Sequence, residues 1–122
     1  MSQQEMEQGF HEDASRDRLP IRLIAFESSE LAGTIILREN GTETLPEFQP
    51  ELGGLYVVES HRNHGIATEL IRAGMQVARE QGYETVFATT VAAAGILERL
   101  GWEFLQTVMY QEGPTGLYRC KP

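Results

Sequence analysis

The chain has 122 residues, of which 41 % are hydrophobic and 23 % are charged, enough for one compact domain but not for two. Its 18 acidic and 10 basic side chains give a formal net charge of −8, which argues against a general nucleic-acid binder, because that function needs a cationic face for phosphates. The negative charge suits a positively charged small substrate or partner, and it is equally compatible with a role in solubility alone.

The first 18 residues are polar and acidic and, after Met1, contain two large apolar side chains, Met6 and Phe10. Their spacing of four residues is that of one stripe of a helix. We therefore expect residues 1–18 to be a polar N-terminal helix or a disordered segment, which ends before Pro20. The globular domain is expected to span residues 19–122.

Three strands are predicted next. Mostly apolar runs at 21–26 and 31–37 predict a hairpin, and a loop rich in turn residues follows at 38–50. The third strand, 52–58, contains Gly53 and Gly54. Glycines inside a strand often mark a bulge, or a place where another molecule approaches the backbone.

The second half of the chain alternates helices and strands. An apolar stripe at helical spacing predicts a helix over 66–80. The remaining predicted elements are a strand at 85–88, a helix at 92–100, and two strands at 102–110 and 117–120 joined by a turn at 112–116.

Strand–helix–strand connections place a parallel pair within an otherwise antiparallel sheet. The predicted fold class is therefore α/β (α+β). It is a mixed, mainly antiparallel sheet of about six strands, flanked by two main helices.

The most informative segment is 55–67, where a buried strand turns into a helix that starts at or just after Gly65. A helix start offers N–H groups without helical partners and the positive end of the helix dipole, and glycine lets an anion approach the backbone. Arg62 adds positive charge, and Thr68 adds a hydroxyl. The segment predicts a phosphate site, unless the glycine merely relieves strain in an ordinary strand–helix turn.

The same segment carries a family resemblance. Arg62-Asn-His-Gly65-Ile-Ala67 resembles the R/Q-x-x-G-x-G/A motif of the GCN5-related N-acetyltransferase (GNAT) superfamily. The flanking LYVV strand, the VFATT strand and the ILERLGWEF segment follow in the order that the family shows, so the resemblance covers about residues 20–120. It implies a splayed central parallel pair between the third and fourth predicted strands.

The resemblance also implies acetyl-CoA as co-substrate, bound in the wedge between the splayed strands. The pantetheine arm would bond to the backbone of Tyr56, Val57 and Val58. The pyrophosphate would lie on the N–H groups of the motif, with a hydroxyl nearby. These residues are Arg62, Asn63, His64, Gly65, Ile66, Ala67 and Thr68.

The implied reaction is direct acetyl transfer from the thioester to an amine in a ternary complex. A carboxylate can take the proton that the acceptor ammonium loses, and a backbone N–H near Val57 or Val58 would stabilise the oxyanion. Glu51, at the start of the third predicted strand, is the candidate base, with Glu47 and Glu43 as rivals. Glu51 could also be a solvated strand-end carboxylate.

The sequence departs from the family pattern in two ways. Leu97 stands where the family often has a tyrosine that protonates the leaving thiolate, and Thr90 stands where an asparagine is often seen. Tyr110 is a weaker candidate for the acid. The usual N-terminal strand and helices are also missing, which would leave strand 21–26 as an exposed sheet edge and predicts a homodimer through that edge.

Cysteine and histidine usage narrows the remaining choices. Cys120 is the sole cysteine, so an internal disulfide is excluded and a reducing, cytoplasmic location is expected. It is expected to be a buried thiol without a nucleophilic role. His61 and His64, with Glu59, could suggest a metal site, but they fall on a turn without an H-E-x-x-H pattern, so we predict no metal.

The sequence therefore predicts an acetyl-CoA-dependent N-acetyltransferase acting on a small-molecule or peptide amine, with no nucleic-acid partner and no membrane span. The alternative is a non-catalytic acyl-CoA-binding module with a degenerate acceptor side, which Leu97, Thr90 and the short N-terminus favour. A domain that kept the fold without any ligand is a third interpretation.

Overall fold

A computed structural model describes residues 6–9, 20–39, 48–110 and 113–122 of the chain. The strands are β1 (Met6–Gly9), β2 (Ile21–Glu27), β3 (Glu30–Arg38), β4 (Glu51–Val57), β5 (Val86–Thr90), β6 (Glu103–Tyr110) and β7 (Gly113–Cys120). They form one seven-stranded sheet in the order β1-β2-β3-β4-β5-β7-β6. Neighbours are antiparallel except for β4 and β5, which are parallel, so the predicted mixed sheet is confirmed.

Two α-helices, α1 (Ile66–Glu80) and α2 (Ala94–Arg99), are present in the described part of the chain, and a single 3₁₀ turn, Glu59–His61, precedes α1. α1 has the predicted bounds and buries its predicted apolar stripe. It packs on β2, β3 and β4, and a Cβ at Gly74 would collide with the Leu52 side chain. Neither helix has the length and apolar composition that a bilayer crossing requires.

The core lies between the sheet and α1. It includes the fully buried side chains of Ile35, Leu37 and Leu70. Cys120 is buried at the end of β7, as predicted, and burial raises the pKa of its thiol to about 11. The thiol is therefore almost entirely protonated at neutral pH, which disfavours a nucleophilic role.

The parallel pair is splayed. Its register partners are Glu51 and Phe87, and the Phe87 N–H donates to the Pro50 carbonyl at 3.0 Å. From there β4 and β5 diverge. β4 also carries the predicted bulge, because the register with β3 runs from Thr34↔Tyr56 to Ile36↔Gly53 and so places one extra residue on β4. Gly54, with φ of +65°, accommodates it.

The N-terminal prediction needs correction at residues 6–9. These form a strand, not a helix, and pair with β2 from Met6↔Ala25 to Gly9↔Arg22. Backbone pairing along the free edge of β2 outweighs the weak helical spacing of the apolar side chains. The edge on which the dimer prediction rested is covered along 22–25, so that premise was wrong. Phe10, Glu43 and Glu47 lie outside the described residues.

The predicted turn at 112–116 was also wrong in part, since Gly113–Cys120 form one continuous strand. β7 pairs with β5 as far as Thr90↔Gly116, and beyond that point it pairs with β6 alone. Pro114, opposite Met109, therefore lies where β7 has a neighbour on one side. A proline without an N–H is tolerated in such a position.

Candidate functional site

A cleft opens where β4 and β5 diverge. Its inner cavity, of about 300 Å³, is lined by Leu52, Gly53, Gly54, Thr89, Thr90, Leu97 and their neighbours. Its outer cavity, of about 620 Å³, is lined by Val57, Arg62, Asn63, Gly65 to Thr68, Ile96 and Arg99. The two share Leu55, Ala92 and Ala93, and together they form one continuous cleft, here called the β4–β5 cleft.

The outer cavity is bordered by the loop 58–65, which joins β4 to α1. Asn63 and Gly65 both have positive φ, +67° and +80°, so the chain curls sharply before the helix begins. The first bond of α1 runs from the Glu69 N–H to the Gly65 carbonyl, 3.1 Å. The N–H groups of residues 66–68 therefore have no acceptor within the helix and can bind an anion. A Cβ built on Gly65 would meet open space.

Most of the predicted cofactor residues line this outer cavity: Val57, Arg62, Asn63, Gly65, Ile66, Ala67 and Thr68. Tyr56 has a side chain that is 55 % exposed, with the Arg62 guanidinium 6.0 Å from its ring centre. His64 bonds to Glu27 through Nδ1 at 2.9 Å. The structure thus brings the motif glycine and its helix start to the cleft, while the motif histidine contacts the β2–β3 hairpin.

Val57 and Val58 differ in how their backbone groups are used. The Val58 N–H donates to the Ala32 carbonyl at 2.7 Å, and the Val58 carbonyl accepts the His61 N–H at 2.8 Å. Backbone groups of successive strand residues point to opposite sides. Val57 therefore faces away from β3, and its carbonyl accepts a bond from Arg62 Nε at 3.0 Å. Of the two predicted residues, Val57 presents its N–H to the cleft.

Glu51 lies behind Thr89, which lines the inner cavity, and is 4 % exposed. Its Oε1 accepts a hydrogen bond from Arg38 Nε at 3.2 Å, which is also an ion pair. Its Oε2 accepts one from Thr89 Oγ1 at 3.1 Å. The carboxylate is thus buried and held from two sides, and is not a solvated strand-end group. Thr89 connects it to the inner cavity.

Thr89 is a polar residue of the cleft that the sequence analysis did not single out. Its neighbour Thr90 also lines the inner cavity, where its Oγ1 accepts the Ala93 N–H at 2.9 Å. Two hydroxyl residues at the end of an apolar strand were the available signal. Leu97, by contrast, is buried and apolar in the wall of the same cavity.

Tyr110 and Tyr118 belong to the last two strands. Tyr110 pairs with Gly113 where β6 and β7 extend beyond β5, and only its backbone is described. Tyr118 is buried against α2, with its hydroxyl 3.4 Å from Glu98. Burial raises the pKa of Tyr118 above its usual value, and the Glu98 carboxylate adds to the shift. Tyr118 is thus a core side chain with a polar tip.

His61, in the loop 58–65, is buried between two carboxylates. Its Nδ1 lies 2.6 Å from Glu27 Oε1, and its Nε2 lies 3.1 Å from Glu30 Oε1. Hydrogen bonding to Glu27 raises the pKa of His61, against burial, which lowers it. The same contact, with a second from His64, lowers the pKa of Glu27. These contacts attach the loop to the turn between β2 and β3.

A family comparison agrees with this fold and cleft. The sequence model of the Acetyltransferase (GNAT) family matches residues 2–102. The chain belongs to that family. The resemblance seen in the Arg62–Ala67 motif is thereby confirmed.

Among curated proteins, the chain is similar to human (Homo sapiens) N-acetyltransferase 8B, with 33 % identity over 84 residues. The match covers 66 % of this chain and 37 % of the relative, so the chain spans little more than a third of that protein's length.

Solved structures share the fold at low sequence identity. An aminoglycoside 6′-N-acetyltransferase complexed with coenzyme A has a TM-score of 0.69 at 17 % identity, over 84 % of this chain and 72 % of that one. A putative acetyltransferase from Salmonella typhimurium with its cofactor acetyl-CoA has a TM-score of 0.68 at 16 % identity, over 84 % of this chain and 64 % of that one.

Proposed function

We propose that the chain is an acetyl-CoA-dependent N-acetyltransferase that moves an acetyl group directly to an amine in a ternary complex. The observation that carries the proposal is the β4–β5 cleft, which has a helix start with free N–H groups at one end and, at the other, Thr89 hydrogen-bonded to the buried carboxylate of Glu51. Family membership supports it, as do the coenzyme A and acetyl-CoA named with two structures of the same fold.

The residues of the outer cavity would hold the nucleotide part of acetyl-CoA. The N–H groups of residues 66–68 would bind the pyrophosphate, with the Thr68 hydroxyl and the Arg62 guanidinium adding a donor and a positive charge. The pantetheine arm would run along the exposed edge of β4 at Leu55 and Val57. Leu55 takes the place of Val58 in this proposal, because the Val58 N–H already bonds to β3.

The inner cavity would hold the reacting groups. The amine nitrogen attacks the thioester carbonyl and the C–N bond forms. The nitrogen then releases its second proton to solvent, the C–S bond breaks, and the thiolate takes a proton from solvent. The Val57 N–H would stabilise the oxyanion. The ammonium proton passes to Thr89 Oγ1 as that hydroxyl gives its own proton to Glu51 Oε2, along the existing 3.1 Å hydrogen bond.

The acceptor class follows from charge and from the family. A primary amine of a small molecule or a peptide is cationic before it loses its proton, which suits a chain of net charge −8. A cytoplasmic location, a homodimer and a reaction without a catalytic metal stay predictions from the sequence. With β1 on the edge of β2, a homodimer needs another surface.

A non-catalytic acyl-CoA-binding module is the second candidate. One observation favours it: Leu97, in the wall of the inner cavity, offers no proton to a leaving thiolate. In this case the cleft would bind acetyl-CoA and leave the thioester intact.

The two candidates are separated by release of free coenzyme A, measured with a thiol reagent while amines are screened at fixed acetyl-CoA. If the chain is an enzyme, coenzyme A is released in the presence of an amine faster than without protein. Acetylated product should form in an equal amount. The binding module would be supported, and the enzyme contradicted, if the chain binds acetyl-CoA but releases no coenzyme A with any of the amines tested. These are polyamines, aminoglycosides, amino acids and peptide N-termini.

A further inference from the structure

A second cluster of chemically active side chains lies between the loop 58–65 and the end of β2, and none of its members lines the β4–β5 cleft. Glu27 ends β2, while His61 and His64 belong to the loop. One carboxylate oxygen, one ring nitrogen of His61 and one of His64 all lie within 4.8 Å of one another. His61 Nδ1 and His64 Nδ1 lie 2.6 and 2.9 Å from the same atom, Glu27 Oε1.

The donor set suits a transition metal better than a hard cation. Zn²⁺ binds imidazole nitrogen and carboxylate oxygen at about 2.0–2.2 Å, commonly with three protein ligands and a water in the fourth tetrahedral position. At that bond length a tetrahedral ion holds its ligands roughly 3.3 Å apart. The ligand atoms here need to move apart by less than an ångström from Glu27, and His64 has freedom to do so because its side chain is 47 % exposed.

A fourth residue gives the cluster an outer support. The second ring nitrogen of His61, Nε2, lies 3.1 Å from Glu30 Oε1. A metal-ligating histidine nearly always donates its other ring N–H to a carboxylate or carbonyl, which fixes the ring and its tautomer. His61 is therefore already oriented, with one nitrogen facing the cluster and the other facing a carboxylate. It is also buried.

We propose that Glu27, His61 and His64 form a binding site for a divalent transition-metal ion of the zinc class, with Glu30 orienting His61. The site joins the turn between β2 and β3 to the loop 58–65, two segments that are 34 residues apart at Glu27 and His61. An ion there would stabilise the path of the loop by holding it to the β2–β3 hairpin. The sequence alone suggested Glu59 as the third group and led us to predict no metal, because Glu27 is remote in the chain.

The test is a calorimetric titration of Zn²⁺ into the chelator-treated full chain, repeated with Co²⁺ while visible absorption is recorded. The informative variants are His64→Gln, which changes a half-exposed side chain and so carries the least risk to folding, and Glu27→Gln. Glu30→Gln tests the orienting carboxylate. Glu59→Gln is the matched control, since Glu59 is an exposed carboxylate of the same loop outside the cluster. Circular dichroism checks that each variant is folded.

We expect one Zn²⁺ to bind per chain and Co²⁺ to give a visible spectrum typical of tetrahedral coordination. The Zn²⁺ affinity of Glu59→Gln should be unchanged. Glu30→Gln should weaken binding by roughly 10- to 100-fold, and His64→Gln and Glu27→Gln should weaken it at least as much. Absence of stoichiometric binding to the unaltered chain overturns the site. The site is also overturned if folded His64→Gln and Glu27→Gln bind Zn²⁺ as tightly as the unaltered chain does. The same holds if Glu59→Gln loses as much Zn²⁺ affinity as those two variants. None of these measurements depends on acetyl-CoA or on turnover.

Discussion

The two ends of the β4–β5 cleft are built from different parts of the chain. The outer end is made of backbone: a loop with positive φ at Asn63 and Gly65, followed by the first turn of a 15-residue helix. The inner end is made of side chains, with Glu51 held by Arg38 and Thr89 beside the apolar wall of Leu97.

This difference separates binding from chemistry. A backbone site persists in any sequence that preserves the glycine and the helix start, whereas the chemistry of the inner end depends on the identity of a few side chains. Substitutions at the two ends should therefore change different measured quantities.

The largest effect is expected for Glu51→Gln. The amide cannot accept the proton of the acceptor amine, and general-base catalysis commonly contributes 100-fold or more, so turnover should fall by at least ~100-fold. The dissociation constant for acetyl-CoA should stay the same. Steady-state kinetics together with calorimetry measure both quantities.

The control for this variant is Glu103→Gln, which alters an exposed carboxylate paired with Arg119 on the far edge of the sheet. Its turnover should match that of the unaltered chain. Turnover in Glu51→Gln within a few-fold of normal would mean that Glu51 is not the proton acceptor.

Gly65→Val should give the opposite pattern. A side chain at this residue would project into the open space beside the N–H groups of α1 and exclude phosphate. Charge-assisted hydrogen bonds contribute ~1.5–3 kcal/mol each, so losing one or two should weaken acetyl-CoA binding by about 100-fold. Calorimetric titration gives the dissociation constant.

Gly82→Val is its matched control, because Gly82 also has positive φ, +90°, and open space around a built Cβ, but lies at the other end of α1. It carries the same backbone strain away from the cleft. Equal loss of affinity in both variants would show that strain, rather than exclusion of phosphate, causes the effect.

Thr89→Val should have an intermediate effect. It removes the hydroxyl that links Glu51 to the inner cavity and nearly preserves the side-chain shape. Turnover should fall by about tenfold. This is less than the effect of removing the whole general base, because a water can still bridge the amine and Glu51. Thr89→Ser should restore most of the rate in the same kinetic assay. Unchanged turnover in Thr89→Val would remove Thr89 from the proton path.

The smallest effect is expected at Cys120, which lies outside both ends. Cys120→Ala should leave turnover within about twofold, because the proposed direct transfer forms no acyl-enzyme and the thiol is protonated at neutral pH. Burial keeps the pKa of this thiol above its value in an unfolded chain, so the unfolded state ionises first and stability falls as pH rises from about 9 towards 11.

Urea unfolding at pH 8 and at pH 10 checks the fall in stability, and thiol labelling checks the burial of Cys120. The native chain at pH 8 should react slowly and the denatured chain at once. Rapid labelling of the native chain, or loss of turnover in a folded Cys120→Ala, would contradict a purely structural thiol.

What could be predicted from sequence follows the same division. The bounds of α1 were predictable because two glycines, Gly65 and Gly82, flank a stripe of apolar side chains at helical spacing. Both glycines have positive φ in the structure. The proposed anion site rests on that local pattern alone. The bulge in β4 was signalled by two adjacent glycines.

The features that were missed depend on contacts between distant segments. Met6–Gly9 has no strand-like alternation, and its pairing with β2 arises only in the folded sheet. Gly113 to Gly116 has the composition of a turn, but β6 supplies a partner that extends it as a strand. Thr89 contacts Glu51 across 38 residues, so its position beside the predicted base could not be seen in the sequence.

The central claim is that backbone N–H groups of the loop and of the first turn of α1 bind acetyl-CoA. The most direct measurement is a titration of the ¹⁵N-labelled chain with acetyl-CoA, followed by amide NMR. The largest shifts are expected at residues 63–68, Leu55 and Val57, with little change in β6 and in the 113–116 part of β7. Binding that shifts those hairpin amides while leaving residues 63–68 unchanged, or no binding at all, would contradict the claim.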